Sequence, residues 1–170
     1  KLLWLNAQYL RNRPLSQIAK DMAPYLTAEG YAVPADQSWL EKMIESLRER
    51  TKSLVELVDA AHYFLKETIE IDERAGRKHL LPETKGVLEE VITKLQNLED
   101  FDQASVEKVF GEIVAGRGIK LGAIAQPVRV ALTGSTVSPG IYELISILGR
   151  DVALGRIAAG IRHIDSHLDG

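Results

Sequence analysis

Apolar residues recur at helical spacing in nearly every segment of this chain, and glycine or proline interrupts most of the runs before they grow long. Strict apolar–polar alternation, the mark of a half-buried strand, is nowhere convincing. A short helix is marginal in water unless it buries its apolar stripe against a neighbour. The expected class is therefore all-α: a two-lobed helical cage of short and medium helices, not a long bundle. With 170 residues, 45% of them hydrophobic, the chain is long enough for a packed core.

The spacing predicts a first helix from about Leu2 to Arg11. Pro14 suits the first turn of a second, with Ile18, Met22, Tyr25 and Leu26 inward, and Gly30 stops it. After a loop through Pro34, Asp36 or Ser38 can cap a helix that buries Trp39, Leu40, Met43, Ile44 and Leu47. Thr51 or Ser53 restarts the pattern, which continues to about Lys66. A polar stretch with one short helix follows to His79. Pro82 opens another long helix and marks the expected boundary, giving lobes over 1–81 and 82–170. The last third reads as shorter helices: Ser105 to Ala115, ended by Gly116 and Gly118; Lys120 to Leu132; Ser138-Pro139-Gly140 through Leu148; and a last one capped by Asp151. Pro127, inside the second of these, is expected to bend or restart it, because proline deletes a helical hydrogen bond.

Several classes fall away. There is no cysteine, so disulfides and thiolate zinc sites are excluded, and a reducing, cytoplasmic setting is expected. No apolar run approaches the roughly 20 residues of a membrane span, and Lys1-Leu2-Leu3-Trp4 does not read as a signal peptide. Phosphate loop, GxGxxG and H-E-x-x-H are all absent, so no catalytic residue is assigned. His163 and His167, at i and i+4, could face one metal, but no third ligand is evident and no metal is assigned. Trp4 and Trp39 lie on apolar stripes and read as core residues. The net charge of −3 argues against phosphate contacts, yet its distribution is uneven. Glu67 to Asp102 is acidic. From Lys108 to Arg162, Lys108, Arg117, Lys120, Arg129, Arg150, Arg156 and Arg162 outnumber Glu112, Glu143 and Asp151. Solvated helix faces or an end able to approach phosphate both fit this pattern.

Two places stand out. Arg48-Glu49-Arg50-Thr51-Lys52 is a basic cluster at a helix junction, where an arginine can be a surface ion-pair residue or can read a base edge. Ala125 through Gly134, then Ser138-Pro139-Gly140-Ile141, delivers the chain by a turn into a helix N-terminus. That terminus can be capped by Ser138, or can offer its N–H groups to a phosphate or a base.

These places carry a resemblance. Lys1-Leu2-Leu3-Trp4-Leu5-Asn6-Ala7-Gln8-Tyr9 resembles the K-L-x-W-L-N-x-x-Y segment of bacterial glutamyl-tRNA synthetases. Arg48-Glu49-Arg50-Thr51-Lys52-Ser53-Leu54 resembles their R-x-R-x-x-T-L. Lys120-Leu121-Gly122 through Thr133-Gly134 resembles K-x-G-x-x-x-x-P-x-R-x-A-L-T-G, and Ser138-Pro139-Gly140-Ile141 through Leu148-Gly149-Arg150 resembles [ST]-P-G-[LI] followed by L-G-[KR]. The matches span the chain in order. The resemblance implies a C-terminal anticodon-binding region separated from its catalytic domain: the end of the stem-contact region with a first helical lobe, then a second lobe. It implies the anticodon loop of glutamate tRNA as partner, a class I catalytic domain in cis in the parent protein, and ATP and Mg there but no cofactor here. Neither DNA nor membrane is implied. By resemblance Arg50 reads the third anticodon base, while Arg129, Ser138, Pro139 and Ile141 contact the first two. Arg48, Gly140 and Lys120 are further candidate RNA contacts. The alternative is a helical protein-interaction module that kept the fold without tRNA charging.

Overall fold

Helix-stop signals set the architecture. In the computed structural model, which describes residues 2–169, eleven α-helices and one 3-10 turn form the regular structure, and no strand occurs among the described residues. The chain is all-α. Its contacts divide it into two compact units, Lys1–Glu67 and Thr68–Gly170.

The first unit holds α1 (Leu2–Asn12), α2 (Leu15–Ala28), α3 (Gln37–Arg48), α4 (Leu54–Ala60) and α5 (His62–Leu65). Leu10, Ile18, Met22, Leu26, Leu40, Met43, Ile44 and Leu57 are almost wholly removed from solvent and form its core. Each such side chain stabilises the fold by about 1.5–3 kcal/mol through burial. α2 packs on α3 and α4, and the Tyr9 hydroxyl on α1 donates to the Asp21 carboxylate on α2. Of the two capping choices at each start, Asp36 and Ser53 are used: they accept from Trp39 N at 3.0 Å and Glu56 N at 3.1 Å. Thr51 instead donates to Leu47 O at 3.1 Å and finishes α3. The helix expected to run on to Lys66 is interrupted at Ala61, which closes α4 and opens α5. Just beyond the break, Tyr63 and Phe64 are both buried. Trp39 meets Phe64 edge-on, ring centroids 6.3 Å apart. Trp4, expected in the core, is 63% exposed.

The second unit holds α6 (Glu73–His79), a 3-10 turn (Pro82–Thr84), α7 (Lys85–Gln96), α8 (Gln103–Arg117), α9 (Gly122–Thr133), α10 (Ile141–Leu148) and α11 (Arg150–Leu168). α11 packs on α7 and α9, α8 on α7 and α10, and α6 on α9. That last contact groups 68–81 with the second unit, whereas the sequence alone put 1–81 together. Asp72 N donates to Gly134 O at 2.9 Å, which ties the polar stretch down by its backbone. Hydropathy carries no trace of such a bond.

Pro127 does not restart its helix. α9 is continuous from Gly122 to Thr133. The proline φ suits a helix, and the lost bond falls on the carbonyl of Ala123, an exposed residue near the helix start where water can replace it. Pro24 lies inside α2 in the same way. Gly118 and Gly134 end α8 and α9 in the left-handed conformation, φ +62° and +80°. Gly116 lies within α8. Asp151 sits in the first turn of α11, whose cap position is Gly149. Two glycines permit close approach. A Cβ on Gly134 would overlap the Glu70 carbonyl, and one on Gly160 would lie 2.8 Å from Ala131 Cβ.

Candidate nucleic-acid interface

The first candidate place is the C-terminal end of α3. Two of its charges are already matched. Arg48 pairs with Glu45 at 3.0 Å, and Glu49 pairs with Arg11 at 3.3 Å. Arg50 is exposed, and among the described residues its guanidinium makes no ion pair or hydrogen bond, while its backbone N–H is fixed on Leu47 O at 2.9 Å. The two carboxylates that could have held it as a surface ion-pair residue are thus engaged elsewhere. Burial pushes the Tyr63 hydroxyl up to about 12, and the Arg50 charge acts against that rise. The guanidinium therefore stands near a buried phenol, in solvent, with its five donors available.

The second place is the turn from α9 into α10. Thr133 Oγ donates to Arg129 O at 2.9 Å and Ser135 O at 3.0 Å, and accepts from Ser135 N at 3.1 Å. One turn earlier, Arg129 Nε donates to Ser138 Oγ at 2.8 Å, and that hydroxyl donates to Pro139 O at 2.8 Å. The loop 135–138 is thus laced back along α9. Ser138 is consumed by these bonds and does not cap α10. The cap position is Gly140, with no side-chain cap bond.

Arg129, Ser138, Pro139, Gly140 and Ile141 are brought together here. They present different surfaces. Ile141 is 5% exposed, and Ser138 and Pro139 are buried. Gly140 is exposed and Arg129 half-buried. The isoleucine side chain therefore does not face outward, whereas the chain at Gly140 does. Lys120 is exposed in the turn between α8 and α9. Arg48 and Arg50 belong to the first unit.

The basic run from Lys108 to Arg162 is less available than its count implies. Arg117 pairs with Glu90 and donates to Gly86 O at 3.1 Å. Arg150 donates to Leu98 O, at the end of α7. Arg156 is buried, donates to Leu132 O at 2.8 Å, and has its pKa lowered by desolvation. These three hold helices together. Lys108, Lys120 and Arg162 are exposed. His163 and His167 stack with centroids 4.2 Å apart, beside a cleft of about 330 Å³ that also involves Glu73 and Arg77. Among the described residues, no group of three or more His, Asp or Glu is arranged to hold a metal, and no helix is long and apolar enough to cross a membrane.

One residue of this region was not singled out by sequence. Gln126 is half-buried in α9. Its Oε1 is enclosed with no hydrogen-bond partner. The available signal was a lone amide between Ala125 and Pro127, in a run of otherwise buried apolar residues.

A sequence model of the family described as "Anticodon binding domain" matches residues 17–161. The glutamate–tRNA ligase of Thermodesulfovibrio yellowstonii is 45% identical over 160 residues, which are 92% of this chain and 34% of that protein. The glutamate–tRNA ligase of Syntrophobacter fumaroxidans is 39% identical over 165 residues, covering 97% of this chain and 35% of that protein. The chain spans about a third of the length of these relatives. In the crystal structure of a glutamate tRNA ligase from Elizabethkingia meningosepticum, a region superimposes with a TM-score of 0.86 at 22% identity, covering 94% of this chain and 31% of that one. At that identity the likeness is one of fold.

Proposed function

The chain belongs to the anticodon-binding domain family, in the form carried by glutamate–tRNA ligases, and on that premise we propose that it recognises the anticodon loop of glutamate tRNA in the cytoplasm, as the RNA-reading part of a ligase that attaches glutamate using ATP. Arg50 in the first unit reads the third anticodon base. Arg129, with Ser138, Pro139 and the backbone at Gly140 and Ile141, meets the first two. ATP and Mg belong to the catalytic domain of such a ligase, and no class I motif stands in this sequence. No chemical step is assigned to this chain.

The observation that carries the reading is the state of Arg50: exposed and unengaged, while the charges just before it, on Arg48 and Glu49, are matched. Glutamate anticodons end in cytosine and glutamine anticodons in guanine. On its pairing edge cytosine offers the acceptors N3 and O2, which suit a guanidinium. Guanine offers N–H donors there, which a donor-only group meets unfavourably. A glutamine side chain could donate or accept and would tolerate both.

The test is made in the intact ligase that carries this chain. Arg50→Gln is expected to raise charging of glutamine tRNA relative to glutamate tRNA. One base-edge contact is worth about 1–3 kcal/mol, or roughly 5- to 150-fold in that ratio. An unchanged ratio with normal charging of glutamate tRNA would remove Arg50 from the role. The competing reading, a protein-interaction module, draws on the net charge of −3 and the internal use of Arg117, Arg150 and Arg156. A salt titration of binding to glutamate tRNA separates the two, since phosphate contacts give an affinity that falls steeply with salt.

A further inference from the structure

We infer that the cleft between α2 and α4 of the first unit is a docking groove for an extended segment of a protein partner that carries both basic and apolar side chains.

The groove begins with two apolar side chains that the fold leaves outside. α2 packs on α4, and the pair buries Leu26, Leu57 and Val58. Tyr25, in the last turn of α2, stays 40% exposed, and Val55, in the first turn of α4, stays 63% exposed. With Tyr31 they line a cleft of about 540 Å³, inside the range of roughly 300–1,000 Å³ that binding clefts occupy. Tyr25 and Val55 also border a second depression of about 310 Å³, which reaches Asn6 and Tyr9 on α1. Because the two depressions share these side chains, the surface is longer than a single side chain needs.

Charge says what would cover it. Glu29, Glu56 and Asp59 border the larger cleft, together with His62 and Lys66. Glu56 is partly used, since it accepts from Lys52 N at 2.8 Å, and the His62 ring is turned onto Asp59 O at 2.8 Å. Among the described residues, the carboxylates of Glu29 and Asp59 have no ion pair or hydrogen bond. Three carboxylates against one ammonium repel phosphate, so RNA is a poor occupant, and they draw in a cation. A guanidinium or ammonium can lie over a tyrosine face while its carbon stem covers Ala28 and Val55. A small diffusible amine would answer the carboxylates but leave the tyrosine and valine surfaces in water. A peptide that carries both basic and apolar side chains answers both and fills the length of the surface.

The experiment follows amide chemical shifts of the 170-residue chain at low salt. Three probes are titrated: a short peptide of alternating arginine and leucine, the same peptide with glutamate in place of arginine, and spermidine. The basic peptide is expected to shift Tyr25, Tyr31 and Val55 saturably, with a Kd at or below about 1 mM. Glu29→Lys combined with Asp59→Lys should lower that affinity about 10-fold or more. Both positions are exposed, so the melting temperature should stay near the original. Val55→Ser, which keeps every charge, should lower affinity about 3-fold through lost apolar burial. Absence of saturable shifts in the groove, equal affinity for the acidic peptide, or an affinity unmoved by the double charge reversal would each overturn the inference. Spermidine that shifts the same residues with the affinity of the basic peptide would make a diffusible amine the occupant and overturn it as well. None of these outcomes bears on the roles proposed for Arg50 and Arg129.

Discussion

The two units hold their candidate arginines in opposite ways. In the first, Arg50 projects into solvent just past the end of α3, and its neighbours Arg48 and Glu49 are paired off to Glu45 and Arg11. The Arg50 guanidinium makes no ion pair or hydrogen bond among the described residues. In the second, Arg129 is half-buried and laced to Ser138, within a turn fixed by Thr133, Ser135 and the bond from Asp72 to Gly134. The contrast teaches that a reading residue can be an appendage of a fold or part of its fabric. An appendage can be exchanged at little cost to stability. A residue in the fabric cannot, and its effects on binding and on folding must be separated before either is interpreted.

The largest expected effect breaks the second unit and spares the first. Gly134 has φ +80°, and an added Cβ would overlap the Glu70 carbonyl, which is backbone and cannot swing aside. Gly134→Ala should destabilise by about 3 kcal/mol or more, combining left-handed strain with a backbone clash. Gly30 has φ +83° but open space around it. Gly30→Ala should cost only about 1 kcal/mol. Urea denaturation of both variants measures the difference. Equal losses would mean that the tie between Gly134 and the 70–72 segment does not hold in solution.

A smaller effect sharpens the comparison at the arginines themselves. Ser138→Ala removes the acceptor of Arg129 Nε and a donor to Pro139 O. It should lower stability by about 1–2 kcal/mol, since buried polar groups lose their partners. Arg50→Gln should stay within about 0.5 kcal/mol of the original chain, as an exposed substitution without a lost contact. If Arg50→Gln proved the more destabilising, the description of Arg50 as an appendage would be wrong.

The same contrast explains what could be read in the sequence. Helix positions were legible because stripes such as Ile18–Met22–Leu26 and Val87–Leu88–Val91–Leu95 repeat at helical spacing, and the caps Asp36, Ser53, Gly118 and Gly134 punctuate them. The grouping of 68–81 with the second unit was not legible, because it depends on the packing of α6 on α9, on the backbone hydrogen bond from Asp72 to Gly134, and on the close approach that Gly134 permits. Composition was misleading for Arg117, Arg150 and Arg156: charge counting cannot tell a solvated arginine from one that ties a helix end. Arg50 and Arg129 were found by family resemblance, whereas Gln126 emerges only when hydrogen-bond partners are tallied in three dimensions. The interruption at Ala61 was invisible for a related reason: apolar spacing continues through it, and only the backbone shows where α4 closes and α5 opens.

The smallest expected effect concerns pH and again falls on the second unit. His163 on α11 lines the cleft shared with Glu73, Arg77 and His167, and its Nε2 lies 3.2 Å from where a Cβ on Gly76 would be. Burial, and then the neighbouring His167, hold its pKa below the ordinary histidine range. His79 on α6 is lowered by burial and by Lys78. A depressed histidine pKa means that the unfolded chain takes up protons which the folded chain refuses. Through these groups, stability is whole above the unfolded value of about 6.5 and drains away as pH falls from there towards the folded values. Asp102, whose pKa is lowered by its bonds to Ser105, and Lys85, whose pKa is raised by Asp165, titrate outside that window. The melting temperature should therefore fall modestly between pH 7.5 and 5, and His163→Gln should flatten part of the slope. Both histidines are only partly enclosed, so the drop should be well short of the loss from Gly134→Ala. A slope unchanged by His163→Gln and His79→Gln together would show that neither ring is held neutral by the packing of α6 and α11.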